Sequence, residues 1–161
     1  MYYTLIPSPL GDLVAIASDD HLLMLKFADS RELAEKLLRF PDAKIGTNMI
    51  LKETILQLSE YFEWKRKEFN IPLSVDGTDF QKDAWKWLEK IPYGETRSYG
   101  EQARMISRPK AVRAIGGANH NNRIIVIIPC HRVIGASGKL VGYGGGLPRK
   151  VWLLEHEKKH R

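Results

Sequence analysis

The chain contains one cysteine, Cys130, among its 161 residues. That scarcity excludes an intramolecular disulfide and any cysteine-rich zinc site. It also lacks an apolar run approaching the ~20 residues that a membrane-spanning helix needs. The run nearest Cys130, residues 124–128, has the length of a strand. The start, Met1-Tyr2-Tyr3-Thr4, has neither the charged nor the apolar region of a secretion signal, so a cytoplasmic, DNA-accessible location is expected. Internal repeats and low-complexity tracts are absent as well, which excludes solenoids and disordered scaffolds. What remains is ordinary globular material, 43% hydrophobic and 27% charged, and long enough for one medium domain or two small ones.

Charge is present but unevenly placed. Up to Thr78 there are 9 Lys+Arg and 12 Asp+Glu; from Asp79 onward there are 16 and 7. A mildly acidic first part joined to a strongly basic second part points to one face that meets a polyanion. A plain solubility surface reads equally well from charge alone, so the sign matters only beside a nucleic-acid-binding motif.

The first part opens with three short apolar runs, Thr4-Leu5-Ile6, residues 13–17 and residues 22–25, parted by turn-rich segments. A helix capped by Ser30 is expected through Phe40. A second is expected over residues 48–67, burying Ile50, Ile55, Leu58 and Phe62. Residues 69–77, with Pro72 and Gly77, read as a linker. The second part begins with an amphipathic helix over residues 79–90, placing Phe80, Ala84, Trp85 and Leu88 on one face. Ser98 and Glu101 form a capping box at the head of a short helix. After Ser107-Arg108-Pro109 a further helix is expected over residues 110–119, giving a helix-turn-helix with Lys110 and Arg113 near the start of its second helix. The apolar residues 124–128 read as a buried strand ending at Pro129-Cys130-His131-Arg132-Val133. A glycine-rich loop, Gly142-Tyr143-Gly144-Gly145-Gly146, precedes a last helix from Pro148 to about Glu157. The fold class is therefore α/β (α+β): a strand-rich N-terminal domain with helices, residues 1–77, and a mostly helical C-terminal domain, residues 78–161, with a helix-turn-helix and a short active-site strand.

Cys130 lies beside His131 and Arg132. Cationic neighbours favour the thiolate form of a cysteine, and histidine can serve as the base that removes its proton. Neighbours on an extended chain point to opposite faces, so contact between Cys130 and His131 needs a turn or a bridging water. For an isolated Cys-His pair, a buried small residue is the better reading. Pro129 and the glycines at 144–146 add a fixed entry angle and a backbone that admits close approach of a planar ligand.

The segment Pro129-Cys130-His131-Arg132-Val133 resembles the active-site signature of the O6-alkylguanine-DNA alkyltransferases, also called methylated-DNA–protein-cysteine methyltransferases. The similarity extends over residues 78–157: Phe80-Gln81, Trp85, Leu88, Ile91-Pro92-Tyr93-Gly94-Glu95-Thr96, Ser98-Tyr99, Arg113-Ala114-Ile115-Gly116, Asn122, Ile127-Ile128, Gly142-Tyr143, Gly145-Gly146 and Trp152-Leu153-Leu154 fall in family order. In the first part, Ser8-Pro9-Leu10-Gly11 and Tyr61-Phe62 resemble the family's more variable N-terminal domain.

The resemblance implies single-turnover DNA repair, in which Cys130 accepts the alkyl group of an O6-alkylguanine flipped out of duplex DNA. It implies His131 as base through a water, Glu157 orienting His131, Asn122 bracing the turn that presents Cys130, and Tyr99 donating a proton to the departing guanine. Pro129, Val133, Tyr143, Gly144, Gly145 and Lys150 are implied around the guanine. Arg113, Tyr99, Ser98, Lys110, Ala111 and Gly116 are implied at the DNA, in its minor groove and independent of sequence. No metal, nucleotide or methyl-donor cofactor is expected, and the chain is expected to be a monomer. Two positions depart from the family pattern: Arg123 stands where proline is frequent, and Gly144 where relatives carry serine or arginine. His156 and His160 read as solvated positions. Rival readings are a lesion-recognition module without chemistry, whose relatives lack the acceptor cysteine, a transcription regulator, which would leave Cys130, His131 and Glu157 without a purpose, and a cysteine hydrolase, which would turn over many times. Stoichiometry separates all three from single-turnover transfer.

Overall fold

The computed structural model describes all 161 residues and divides into two compact units, Met1–Val75 and Asp76–Arg161. No helix in it is long and apolar enough to cross a membrane. The fold is mixed, strand-rich in the first unit and helical in the second.

In the first unit, β1 (Tyr2–Ile6), β2 (Leu13–Ala17) and β3 (Leu22–Phe27) form an antiparallel meander, and β4 (Lys44–Ile45) pairs parallel to β1 at the edge, giving the order β3-β2-β1-β4. Every residue of β2 is buried, as expected of a central strand covered on both faces. Helix α1 (Leu33–Leu37) is shorter than the expected 30–40 span. Ser30 does not cap it; the N-cap is Glu32, which makes no side-chain cap bond. Helix α2 (Met49–Phe62) is capped by Asn48, whose side chain accepts from Leu51 N at 2.9 Å.

The buried face of α2 is Leu51, Thr54, Gln57, Leu58 and Tyr61, and Ile55 is exposed. Of the expected stripe Leu58 is buried, Ile50 and Phe62 are half-buried and Ile55 is out, because two of the buried positions are taken by polar residues. Gln57 exchanges two hydrogen bonds with the backbone of Asn70, at 2.8 and 3.0 Å, and Thr54 bonds back to Ile50 O at 2.8 Å. Nor is the 69–77 segment a loose linker at its start: Leu73 bridges to Leu22, Leu22 N donates to Pro72 O at 2.8 Å, and Ile71 is buried.

The second unit builds on α3 (Asp79–Leu88), α4 (Tyr99–Met105), α5 (Val112–His120) and α6 (Leu147–Lys159). Helices α3 and α4 both start in full capping boxes, Thr78 with Gln81 and Ser98 with Glu101. Ala84, Ala103, Ile115 and Ala118 make a small-residue core between α3, α4 and α5, and Trp85 Nε1 donates to Ala118 O at 2.8 Å. Helices α4 and α5 are the helix-turn-helix pair, but α5 begins at Val112, two residues later than expected. Lys110 precedes it in the turn and Ala111 is its N-cap. A two-stranded parallel sheet joins β5 (Arg97–Ser98) to β6 (Val133–Ile134). That pairing sets the head of α4 beside the chain leaving Cys130.

Residues 124–128 correct the expected strand. They form a buried turn, with Ile128 N donating to Ile124 O at 3.0 Å and Val126 in the left-handed region at φ 67°. An apolar run has no period of its own, and here it folds on itself because Asn122 supplies the missing partners.

Candidate active site

Cys130 begins a 3₁₀ turn, Cys130–Arg132, that leads directly into β6. The turn resolves the neighbour problem in the sequence, since Cys130, His131 and Arg132 are all buried within it. Upstream, Asn122 is fully buried; its Nδ2 donates to Ile128 O at 2.7 Å and its Oδ1 accepts from Ile124 N at 3.0 Å. One amide side chain therefore closes both ends of the 124–128 turn. Truncating it would orphan the buried Ile124 N–H, at about 1–3 kcal/mol, and leave Ile128 O with Cys130 N as its donor. Arg123, in the place where proline is frequent, reaches Asp76 O at 3.2 Å and Asn121 O at 3.0 Å and lies over the Trp85 ring at 5.3 Å.

Glu157, on α6, is the hub beside the cysteine turn. One carboxylate oxygen lies 2.7 Å from His131 Nε2, and Arg132 donates to both oxygens at 2.8 and 3.0 Å. Arg132 also donates to Ile91 O at 2.7 Å. Burial alone would raise the Glu157 pKa, but His131 and Arg132 outweigh it and hold the carboxyl well below its usual range. His131 is shifted the other way: burial, aided by Arg132 and Lys150, pushes it below its ordinary value despite the pull of Glu157. Above about pH 6.5 the pair is therefore a carboxylate and a neutral imidazole. A carboxylate can only accept, so Nε2 carries the proton and Nδ1 keeps its lone pair. Nδ1 is buried and has no hydrogen-bond partner. Sequence reasoning named Arg132 only as a cationic neighbour of the thiol and missed its bonds to Glu157, although its place directly after His131 in the signature was the available clue.

A cavity of about 330 Å³ opens onto Cys130. One wall is the α5 face of Val112, Gly116, Asn119 and His120; another is the loop of Val141, Gly142, Tyr143 and Gly144, with Tyr99 also lining it. Of the expected guanine contacts, Tyr143 and Gly144 line the cavity, whereas Pro129, Val133, Gly145 and Lys150 do not. Tyr99, the first residue of α4, donates its hydroxyl to Val141 O at 3.0 Å, and burial with the nearby Cys130 raises its pKa.

Lys150 lies deeper than the expected rim position. It is 1% exposed, and its ammonium donates to Val133 O at 2.7 Å, Gly142 O at 3.2 Å and Val141 O at 3.4 Å. Burial lowers its pKa, partly offset by Cys130. His156 is likewise not solvated: it is buried and stacks on Trp152 at 4.7 Å, while half-buried His160 reaches His156 O at 2.7 Å.

The expected DNA contacts fall on and around the helix-turn-helix. Arg113 and Lys110 are exposed, and Ala111 and Gly116 are half-buried. Ser98 accepts from Glu101 N at 3.0 Å in its cap role, leaving its own hydroxyl proton to donate. No group of three or more metal-ligating side chains is present.

Comparison with known proteins bears on this arrangement along the whole chain. The profile of the 6-O-methylguanine DNA methyltransferase DNA-binding domain matches residues 79–159, and that of the same protein's ribonuclease-like domain matches residues 1–75. The chain belongs to the 6-O-methylguanine DNA methyltransferase family. Among members of that family, the methylated-DNA–protein-cysteine methyltransferase of Methanosarcina acetivorans is 43% identical over 157 residues, covering 98% of each chain. That of Mycobacterium bovis is 46% identical over 158 residues, 98% of this chain and 93% of its own. The crystal structure of Mycobacterium tuberculosis OGT in complex with DNA superposes with a TM-score of 0.89 at 44% identity, covering 99% of this chain and 94% of that one.

Proposed function

We propose that this methyltransferase repairs DNA by moving the alkyl group of an O6-alkylguanine onto Cys130, once per chain, after the nucleotide has left the duplex. Family membership carries the coarser part, DNA repair by alkyl transfer with DNA as partner. The observation that carries the finer part is a cysteine that lines a base-sized cavity while its sequence neighbour, His131, offers a buried lone pair fixed by Glu157.

His131 Nδ1 takes the thiol proton through one water, and Glu157 and Arg132 hold the imidazole in the accepting tautomer. The thiolate attacks the alkyl carbon, forming S–C as the C–O6 bond breaks, and the electron pair passes to the guanine. Tyr99 supplies a proton to that leaving base, which requires its hydroxyl to turn from Val141 O into the cavity. The thioether has no route back to a thiol, so the chain is spent. A stacked guanine is out of reach of a cysteine that is only 6% exposed. Flipping costs a few kcal/mol, which Arg113 offsets by entering the duplex from α5 at the minor groove.

Intact mass after incubation with excess duplex containing one O6-methylguanine tests this reading, with Cys130→Ser run alongside. A gain of one methyl in the parent and none in the variant is the expected result. Tight binding without mass gain would make the protein a recognition module. Product released repeatedly without labelling would make it a turnover enzyme.

A further inference from the structure

Tyr143 sits in the cavity wall the wrong way round for a tyrosine. Such residues ordinarily bury the ring and leave the hydroxyl at water, or give a buried hydroxyl a partner. Here the residue as a whole is half-exposed while its hydroxyl is buried with no hydrogen-bond partner. An orphaned buried hydroxyl costs about 1–3 kcal/mol, so its placement calls for a physical reason.

Hydrogen bonds on either side of Tyr143 hold the loop in this position. Lys150 holds the carbonyls of Val141 and Gly142 just before Tyr143, and Gly146 N donates to Tyr143 O at 2.9 Å just after it. The tip is therefore held inward. A second buried polar atom without a partner, His131 Nδ1, belongs to the residue that follows Cys130, and Cys130 and Tyr143 line the same cavity. A neutral imidazole nitrogen can accept and a phenol can donate, so a water within reach of both would satisfy both.

We propose that Tyr143 is a positioning residue for the thiol, donating its hydroxyl proton to the water through which His131 Nδ1 draws the proton from Cys130. The inference rests on the alkyl-transfer reading above and adds the third partner of that water. The proton leaves Sγ, the water passes one to Nδ1, and Tyr143 keeps its own. Burial and the nearby Cys130 hold its phenol well above the ordinary range, so it acts as a donor only. With a second donor fixed on its oxygen, the water becomes a better donor to the sulfur anion, and the thiolate is favoured. The other titratable and charged groups around the thiol are Tyr99 from α4, His120 from α5, His131 and Arg132 from the 3₁₀ turn, and Arg149, Lys150 and Glu157 from α6.

The test is Tyr143→Phe in the full chain. The pH dependence of Cys130 alkylation by iodoacetamide is read beside methyl transfer from the O6-methylguanine duplex. The expected result is a thiol titration midpoint about one unit higher. Methyl transfer at pH below that midpoint should then be about tenfold slower, with the two proteins converging at high pH. The thermal midpoint should not fall, since no direct bond is lost. Superimposable titration curves, or a loss of rate equal at every pH, would overturn the proposal while leaving the parent's methyl uptake, and hence the main reading, intact. Absence of methyl uptake by the parent would instead remove the reading on which the proposal rests.

Discussion

At Glu157, burial alone would favour the protonated acid, but Arg132 gives two charge-assisted hydrogen bonds and His131 a third. Its folded pKa lies below the ordinary 4.5. The stability it contributes is therefore complete above that value and is lost as pH falls below it. His131 acts in the same direction for the opposite reason. Its folded pKa lies below the ordinary 6.5, so the unfolded chain takes up the proton first and acid favours unfolding. Denaturant midpoints measured from pH 8 downward should hold steady, begin to fall below about 6.5 and fall again below about 4.5. In Glu157→Gln the lower step should disappear; a midpoint independent of pH across both steps would contradict the assignment of a neutral His131 beside a charged Glu157.

Helix α5 has to serve the small-residue core, the cavity and the DNA at once, and its two adjacent glycines separate those duties. A Cβ placed at Gly116 or at Gly117 meets no atom within 4 Å, and neither glycine has a positive φ. Alanine is favoured over glycine in a helix interior by about 1 kcal/mol, so either Gly→Ala change should raise the thermal midpoint. Only Gly116 lines the cavity. Gly116→Ala should therefore slow methyl transfer while Gly117→Ala leaves it unchanged, and equal rates for the two variants would remove Gly116 from the substrate wall. The helices with caps or a clear apolar period were legible in the sequence, α3 and α4 most fully. Less legible were elements whose buried residues are polar. The α2 face was misplaced because Thr54 and Gln57 count as surface residues until their backbone partners are known. The 124–128 turn was read as a strand because its closure depends on Asn122, a contact of tertiary origin. Two-residue β4 exists only through its pairing with β1. The candidate site residues came from the signature around Cys130, whereas the depth of Lys150 and the burial of His156 follow from packing of α6 that no local pattern records.

For the molecule as a whole, the charge asymmetry falls close to the division between the two units. The second unit carries the excess of Lys and Arg, and Arg104, Arg108, Lys110 and Arg113 on or beside the helix-turn-helix are all exposed. Contacts to phosphate release counterions, so affinity for undamaged duplex should drop several-fold or more between about 50 and 200 mM salt. Fluorescence anisotropy against salt concentration measures the slope. Lys110→Ala should flatten it by about one charge without changing the preference among flanking sequences. A flat salt response in the parent would mean that the positive charge serves solubility alone.

The ammonium of Lys150 spans three carbonyls, one before the second unit's small sheet turns away from the cysteine and two in the cavity loop. That loop cannot lift without uncovering an amine that is otherwise sealed. The protein thus carries its own clock for opening. An amine-acylating reagent will modify surface lysines at once but Lys150 only as often as the loop departs. Counting acylated Lys150 by peptide mass over time gives that frequency, with exposed Lys82 as the internal standard. A base held in the cavity should make the clock run slower.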